Sequence, residues 1–145
     1  MSERLLGLDF GNKTVGVAVS DALGITAQGV EIIRREKTAK LRKTYARIVE
    51  LIGEYEVGKI VIGLPVELDG TEGERCRVTR EFADGLATRT DLPIEFQDER
   101  YTTVISDRTM NETGQSDHKK YVDEIAAMLI LQSYMDREKN ISNGN

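Results

Sequence analysis

The chain has one cysteine, one histidine and no apolar run near the ~18 residues needed to cross a bilayer. Cys76 alone can close no internal disulfide and build no thiolate metal cage, and with no histidine beside it to activate the thiol it reads as a small, half-buried apolar residue. His118 lies between Asp117 and Lys119 in a polar stretch, where an imidazole is usually solvated, and it makes a poor general base. The missing apolar run predicts a soluble protein with no membrane partner. Met1-Ser2-Glu3-Arg4 leads into strand-like sequence without the segments of a secretory signal, so a cytoplasmic location is expected. An excess of positive charge is also lacking: 25 acidic against 20 basic residues give a net charge of −5. Bulk electrostatics would therefore repel a polyanion, and nucleic-acid contact needs a local patch. Candidates are Arg34, Arg35, Lys37, Lys40, Arg42, Lys43 and Arg47 around the first helix, and Arg75, Arg77 and Arg80 at the start of the second. Charge runs of this kind are also what solvated helix faces look like.

What is present is the composition of an ordinary globular chain, 39% hydrophobic and 31% charged over 145 residues, enough for one core and one domain. That domain is expected over residues 1–137, with a flexible polar tail over 138–145. Residues 5–9 and 14–20 are β-branched and apolar around a short Phe10-Gly11-Asn12-Lys13 link, the pattern of a hairpin, and 30–34 adds a third antiparallel strand. From Thr38 the spacing changes to Leu41, Tyr45, Ile48, Ile52 and Tyr55, one face of a helix. Residues 59–63 form a nearly continuous apolar strand that Leu64-Pro65 stops. A helix over 73–86, a strand over 94–98, a short helix over 103–110, a mobile loop over 111–120 and a closing helix over 121–136 complete the order βββαβαβαα. In the closing helix Val122, Ile125, Ala126 and Leu129 are expected to face inward.

Three antiparallel strands followed by two right-handed crossovers predict an α/β fold with a five-stranded mixed sheet in the order 3-2-1-4-5, flanked by helices. The carboxyl ends of strands 1, 4 and 5 then lie side by side, carrying Asp9, Gly63 and the pair Asp98-Glu99. Strands 1 and 5 are about 10 Å apart, so their carboxylates can converge over the middle strand, where Gly63 leaves space. Asp123, in the first turn of the closing helix, can reach the same edge. Three converging carboxylates repel one another and suit a hard cation, Mg²⁺ or Mn²⁺. Two such ions can activate water and stabilise the leaving oxygen in phosphodiester hydrolysis. Asp9, Glu99 and Asp123 are thus the candidate catalytic and metal-binding residues. Arg100 could hold a phosphate and Tyr101 could stack on a base, while Lys13 and Arg75 are further substrate-binding candidates. Taken singly, Asp9 could be a turn residue, Glu99 and Arg100 a surface ion pair, and Asp123 a favourable charge near a helix amino terminus.

Leu6-Gly7-Leu8-Asp9-Phe10-Gly11-Asn12-Lys13, continuing to Gly16-Val17-Ala18-Val19-Ser20-Asp21, resembles the opening motif of the YqgF/RuvX family. Gly63-Leu64-Pro65, Asp69-Gly70-Thr71-Glu72-Gly73, Asp98-Glu99-Arg100-Tyr101-Thr102-Thr103 and Val122-Asp123-Glu124-Ile125-Ala126-Ala127 match in order, as does the run from Leu129 to Tyr134. The resemblance spans residues 5–136. It implies a ribonuclease H-like fold, a carboxylate metal site at Asp9, Glu99 and Asp123, and a nuclease of pre-16S rRNA 5′-end maturation; a four-way junction substrate favours a homodimer, whereas an RNA end is compatible with a monomer. Members are also labelled Holliday junction resolvases, which would make branched DNA the substrate. Thr14 stands where a basic residue is common in the family, Tyr101 where leucine is usual and Glu124 where a small residue is usual. Two other classes compete. Asp-x-Gly in a hairpin also occurs in the phosphate-binding loops of actin-like and sugar-kinase ATPases, and a non-catalytic RNA-binding assembly factor would need the basic residues but no carboxylate cluster. The stretch from Gly53 to Ile60 imitates a P-loop but has Ile60 in place of the Mg²⁺-binding hydroxyl and precedes a strand.

Overall fold

The computed structural model describes residues 4–35, 41–99 and 118–143, with the backbone alone for 118–124 and 140–143. Its strands are β1 (Arg4–Phe10), β2 (Thr14–Ser20), β3 (Ala27–Arg34), β4 (Val57–Leu64) and β5 (Ile94–Asp98). Its helices are α1 (Arg42–Glu54), α2 (Glu74–Ala87) and α3 (His118–Asn143). The sheet order is β3-β2-β1-β4-β5, with β1–β2 and β2–β3 antiparallel and β1–β4 and β4–β5 parallel. The expected topology is therefore the observed one. The expected helix over 103–110 and most of the expected loop over 111–120 lie outside the described residues.

Strand alternation divides the core into two layers. Leu6, Leu8 and Phe10 of β1, with Ile60 and Ile62 of β4, enter a cluster with Tyr45, Ile48 and Leu51 of α1 and Phe82, Ala83 and Leu86 of α2. Phe10 and Phe82 stack at 4.2 Å between ring centroids, and the Tyr45 hydroxyl donates to the Phe82 carbonyl at 2.9 Å. On the other face Ala18 and Val61 pack with Ala127, Ile130, Leu131, Tyr134 and Met135 of α3. Among the described residues no helix is long and apolar enough to cross a membrane.

Helix α3 corrects two expectations. It runs from His118 to Asn143, so His118 to Lys120, expected in a loop, are helical; the helix also takes in residues 138–143. Its inward stripe is also shifted: Ala127, Ile130, Leu131, Tyr134 and Met135 are buried, whereas Ile125, Ala126 and Leu129 are only half-buried. Apolar residues occupy nearly every position from 125 to 131, so periodicity cannot set the phase of the helix. Two glycines in the sheet set it instead. A Cβ on Gly7 would lie 2.8 Å from the Leu131 Cβ and 3.2 Å from the Ala127 carbonyl oxygen, and a Cβ on Gly63 would collide with Ile130. These bare backbone sites let the helix sit directly on β1 and β4. Gln132 adds a polar latch, accepting from the Ala27 amide at 2.9 Å and donating to the Ile25 carbonyl at 3.2 Å.

Candidate active site at the carboxyl edge of the sheet

Asp9 is the penultimate residue of β1. Because Leu8 and Phe10 point into the α1–α2 layer, alternation puts Asp9 on the α3 face. Glu99 follows the last residue of β5, and its amide donates to the Leu64 carbonyl at 3.1 Å, which holds it beside the end of β4. The Glu99 side chain crosses the space over Gly63, where a Cβ would lie 2.9 Å from both its Cγ and its Cδ. Two carboxylates from strands separated by β4 thereby meet, and Asp9 hydrogen-bonds Glu99. Only 9% of Glu99 is exposed.

Burial, then the charge of Asp9, then the hydrogen bond with Asp9 push the Glu99 carboxyl up to about 8, with Asp98 adding to the rise and Arg75 opposing it. A hydrogen bond between two carboxyl groups requires a shared proton, so the pair stores the repulsion that a cation would relieve. The donor set is all oxygen, partly buried and mutually repelling, which fits a hard divalent ion. Among the described side chains two carboxylates meet here, and no group of three candidate metal ligands forms. Asp123 is placed by its backbone: it lies one turn before Ala127, the residue seated on Gly7. From Tyr134, which meets Lys59 at the amino end of β4, α3 runs back toward the carboxyl edge, so its first turns lie at the Asp9 end. Arg100 and Tyr101 lie outside the described residues.

Arg75, in the first turn of α2, is exposed, and its charge acts on Glu99. Lys13 is exposed at the β1–β2 turn. Other basic candidates are committed elsewhere. Arg35 is buried; its guanidinium donates to the Gly11 carbonyl at 2.8 Å and to that of Asn12, its amide donates to the Lys13 carbonyl at 2.8 Å, and it lies 4.8 Å over the Phe10 ring. It clamps the hairpin that carries Asp9, a role that no local sequence signal separates from a surface arginine. Arg47 is held by Glu31 at 2.7 Å and Glu50 at 3.1 Å, Arg77 by Glu74 and Glu81, and Arg80 by Glu72 at 2.8 Å. Lys37 and Lys40 lie outside the described residues. Cys76 is fully buried and free, more enclosed than its sequence context suggests.

This constellation can be set against known proteins. A family model described as "RuvX: Holliday junction resolvase" matches residues 3–137. The chain belongs to the RuvX family. An Agathobacter rectalis protein described as "Putative pre-16S rRNA nuclease" is 60% identical over 139 residues, covering 94% of this chain and 97% of that protein. A Lachnospira eligens protein of the same description is 49% identical, covering 94% and 99%. Among solved structures, Thermus thermophilus RuvC in complex with a Holliday junction superposes with a TM-score of 0.57 at 13% identity, covering 94% of this chain and 96% of that one. The yeast mitochondrial Holliday junction resolvase Ydc2 gives 0.56 at 11%, covering 97% and 81%. At such identities the likeness speaks for the fold, which is ribonuclease H-like. The segments around Asp9, Gly63 and Glu99, which in sequence resemble the family's motifs, converge at one edge of that fold.

Proposed function

We propose that this RuvX-family protein is a metal-dependent nuclease that hydrolyses phosphodiester bonds in the 5′-end maturation of pre-16S rRNA. The observation that carries the reading is the buried Asp9–Glu99 contact over Gly63: two carboxylates pressed together away from solvent are costly for folding and useful for gripping a cation. Asp9, Glu99 and Asp123 are the residues that would hold Mg²⁺ or Mn²⁺. When bound, such an ion supplies a nucleophilic water and stabilises the developing charge on phosphate oxygens. The chain's own groups do the remaining work. The Leu64 carbonyl and the bare Gly63 backbone hold Glu99 at the strand end, Arg35 fixes the turn behind Asp9, and Arg75 and Lys13 offer cations to the phosphate on either side. Arg100 and Tyr101 are assigned to phosphate and base contact from their sequence positions. The described relatives support rRNA as the substrate, and the family description supports a four-way DNA junction as the competing one.

Pre-16S rRNA, a four-way DNA junction and ATP, offered in parallel to the wild type and Asp9→Asn, separate these readings. The expected result is RNA cleavage only with Mg²⁺ or Mn²⁺, lost by at least about 10³-fold in Asp9→Asn while the protein stays folded. Junction cleavage alone transfers the assignment to recombination. Equal cleavage by both proteins, or turnover of ATP alone, overturns the nuclease reading.

A further inference from the structure

Among the described residues, the cations at the surface differ in whether a carboxylate holds them. Arg47, Arg77, Arg80 and Lys59 are each held by one or two carboxylates. Lys13, Arg34, Arg42, Lys43 and Arg75 are exposed, and no ion pair engages them among the described residues. Of the other cations outside ion pairs, Arg4 and Arg89 lie over the rings of Tyr55 and Tyr45, and Lys139 lies near the end of α3. The five share one location. Lys13 is in the turn after β1, and Arg34 ends β3, paired in register with Thr14. Arg42 and Lys43 open α1, whose far end precedes the first residue of β4, so its start, about 20 Å away along the axis, is at the opposite, carboxyl edge. Arg75, in the first turn of α2, is near enough to the end of β5 for its charge to act on Glu99. All five therefore line the edge that carries Asp9 and Glu99.

Helix electrostatics argues against chance. The first turn of α1 contains Arg42 and Lys43, no acidic residue and no side-chain cap; α2 also lacks a side-chain cap, and the acid in its first turn, Glu74, is held by Arg77. Cations beside the positive end of a helix dipole oppose the usual preference, and they crowd other cations at this rim. The arrangement becomes favourable when a polyanion lies along it. From β3 to β4 is three inter-strand steps, about 14 Å.

We propose that a nucleic-acid strand runs along the carboxyl edge with phosphates on Arg75 at one end and on Lys13, Arg34, Arg42 and Lys43 at the other, passing over Asp9 and Glu99 between them. This rests on the nuclease reading and names the path its substrate takes. It also allows polyanion binding despite a net charge of −5, because cations that no ion pair engages among the described residues collect at one edge.

The test measures binding of a labelled single-stranded RNA and a labelled four-way DNA junction to the cleavage-deficient Asp9→Asn protein across a salt series. Each of Lys13→Gln, Arg34→Gln, Arg42→Gln, Lys43→Gln and Arg75→Gln should weaken RNA binding and reduce the slope of log Kd against log salt by roughly 0.7. Lys13→Arg should retain the slope. Arg77→Gln and Arg80→Gln should leave it unchanged. Slopes that are insensitive at the five positions, or equally sensitive at Arg77 and Arg80, overturn the path for RNA. The same pattern with the junction alone moves the path to DNA. Because binding is read without cleavage, loss of the nuclease reading would appear in the cleavage assay while the slopes still followed the rim. The reverse outcome would remove the path alone.

Discussion

The two edges of the sheet treat charge in opposite ways. At the amino edge Lys59 lies 2.9 Å from Glu95 and donates to the Tyr134 hydroxyl at 3.1 Å, while that hydroxyl donates to Glu95. Every member has a partner. The hydrogen bond from Tyr134 and the ammonium of Lys59 hold the Glu95 carboxyl below its ordinary value, and Glu95 holds Lys59 above its own. At the carboxyl edge two acids face each other, and among the described residues no ion pair engages Lys13, Arg34, Arg42, Lys43 or Arg75 around them. The first arrangement docks α3 and favours the folded state; the second presses two acids together, a repulsion that a proton on Glu99 relieves and that a bound cation would relieve in its place. Partnered charges and crowded like charges thus lie at opposite ends of the same strands.

Breaking each edge should give a different phenotype. The largest effect is expected from Gly63→Ala, whose new methyl would lie 2.9 Å from Glu99 and collide with Ile130. It should lower cleavage by at least about 10²-fold through misplacement of Glu99 and cost roughly 1–3 kcal/mol in denaturant unfolding. Wild-type activity in this variant would show that Glu99 need not lie over β4.

Glu99→Gln sharpens the comparison through pH. The Glu99 carboxyl rises from 4.5 to about 8 in the folded protein. Its native state therefore holds a proton that the unfolded chain releases near 4.5. That contribution to stability is complete below the unfolded value and is lost as pH rises through about 8. Metal-free wild type should lose on the order of 2 kcal/mol between pH 5 and pH 8.5 relative to Glu99→Gln, measured by urea unfolding. Mg²⁺ should reverse the loss, because binding favours the ionised carboxylates. Parallel pH profiles for the two proteins would mean that Glu99 does not carry the proton.

Tyr134→Phe, at the other edge, should have the smallest effect on function. It removes one donor and one acceptor from the Lys59–Glu95 pair, costing about 1–2 kcal/mol and lowering Tm by roughly 2–6 °C. Cleavage should stay within about twofold of wild type. A selective loss of kcat at unchanged Tm would contradict the division of labour.

The strand order and the meeting of Asp9 with Glu99 were legible in the chain itself, because strand periodicity and the handedness of crossovers are local and general rules. They place residues 9, 63 and 99 at neighbouring strand ends before any packing is known. Three things depended on the tertiary structure. The phase of α3 came from Gly7 and Gly63, since a helix apolar on nearly every side carries no preferred face of its own. Arg35 became a buried hairpin clamp because β3 ends opposite the turn of Lys13. Which cations are free was decided by carboxylates from elsewhere in the chain, Glu31 for Arg47 and Glu95 for Lys59. Periodicity acts over a few residues and is written in the sequence, whereas charge neutralisation and burial arise only when distant segments arrive at the same place.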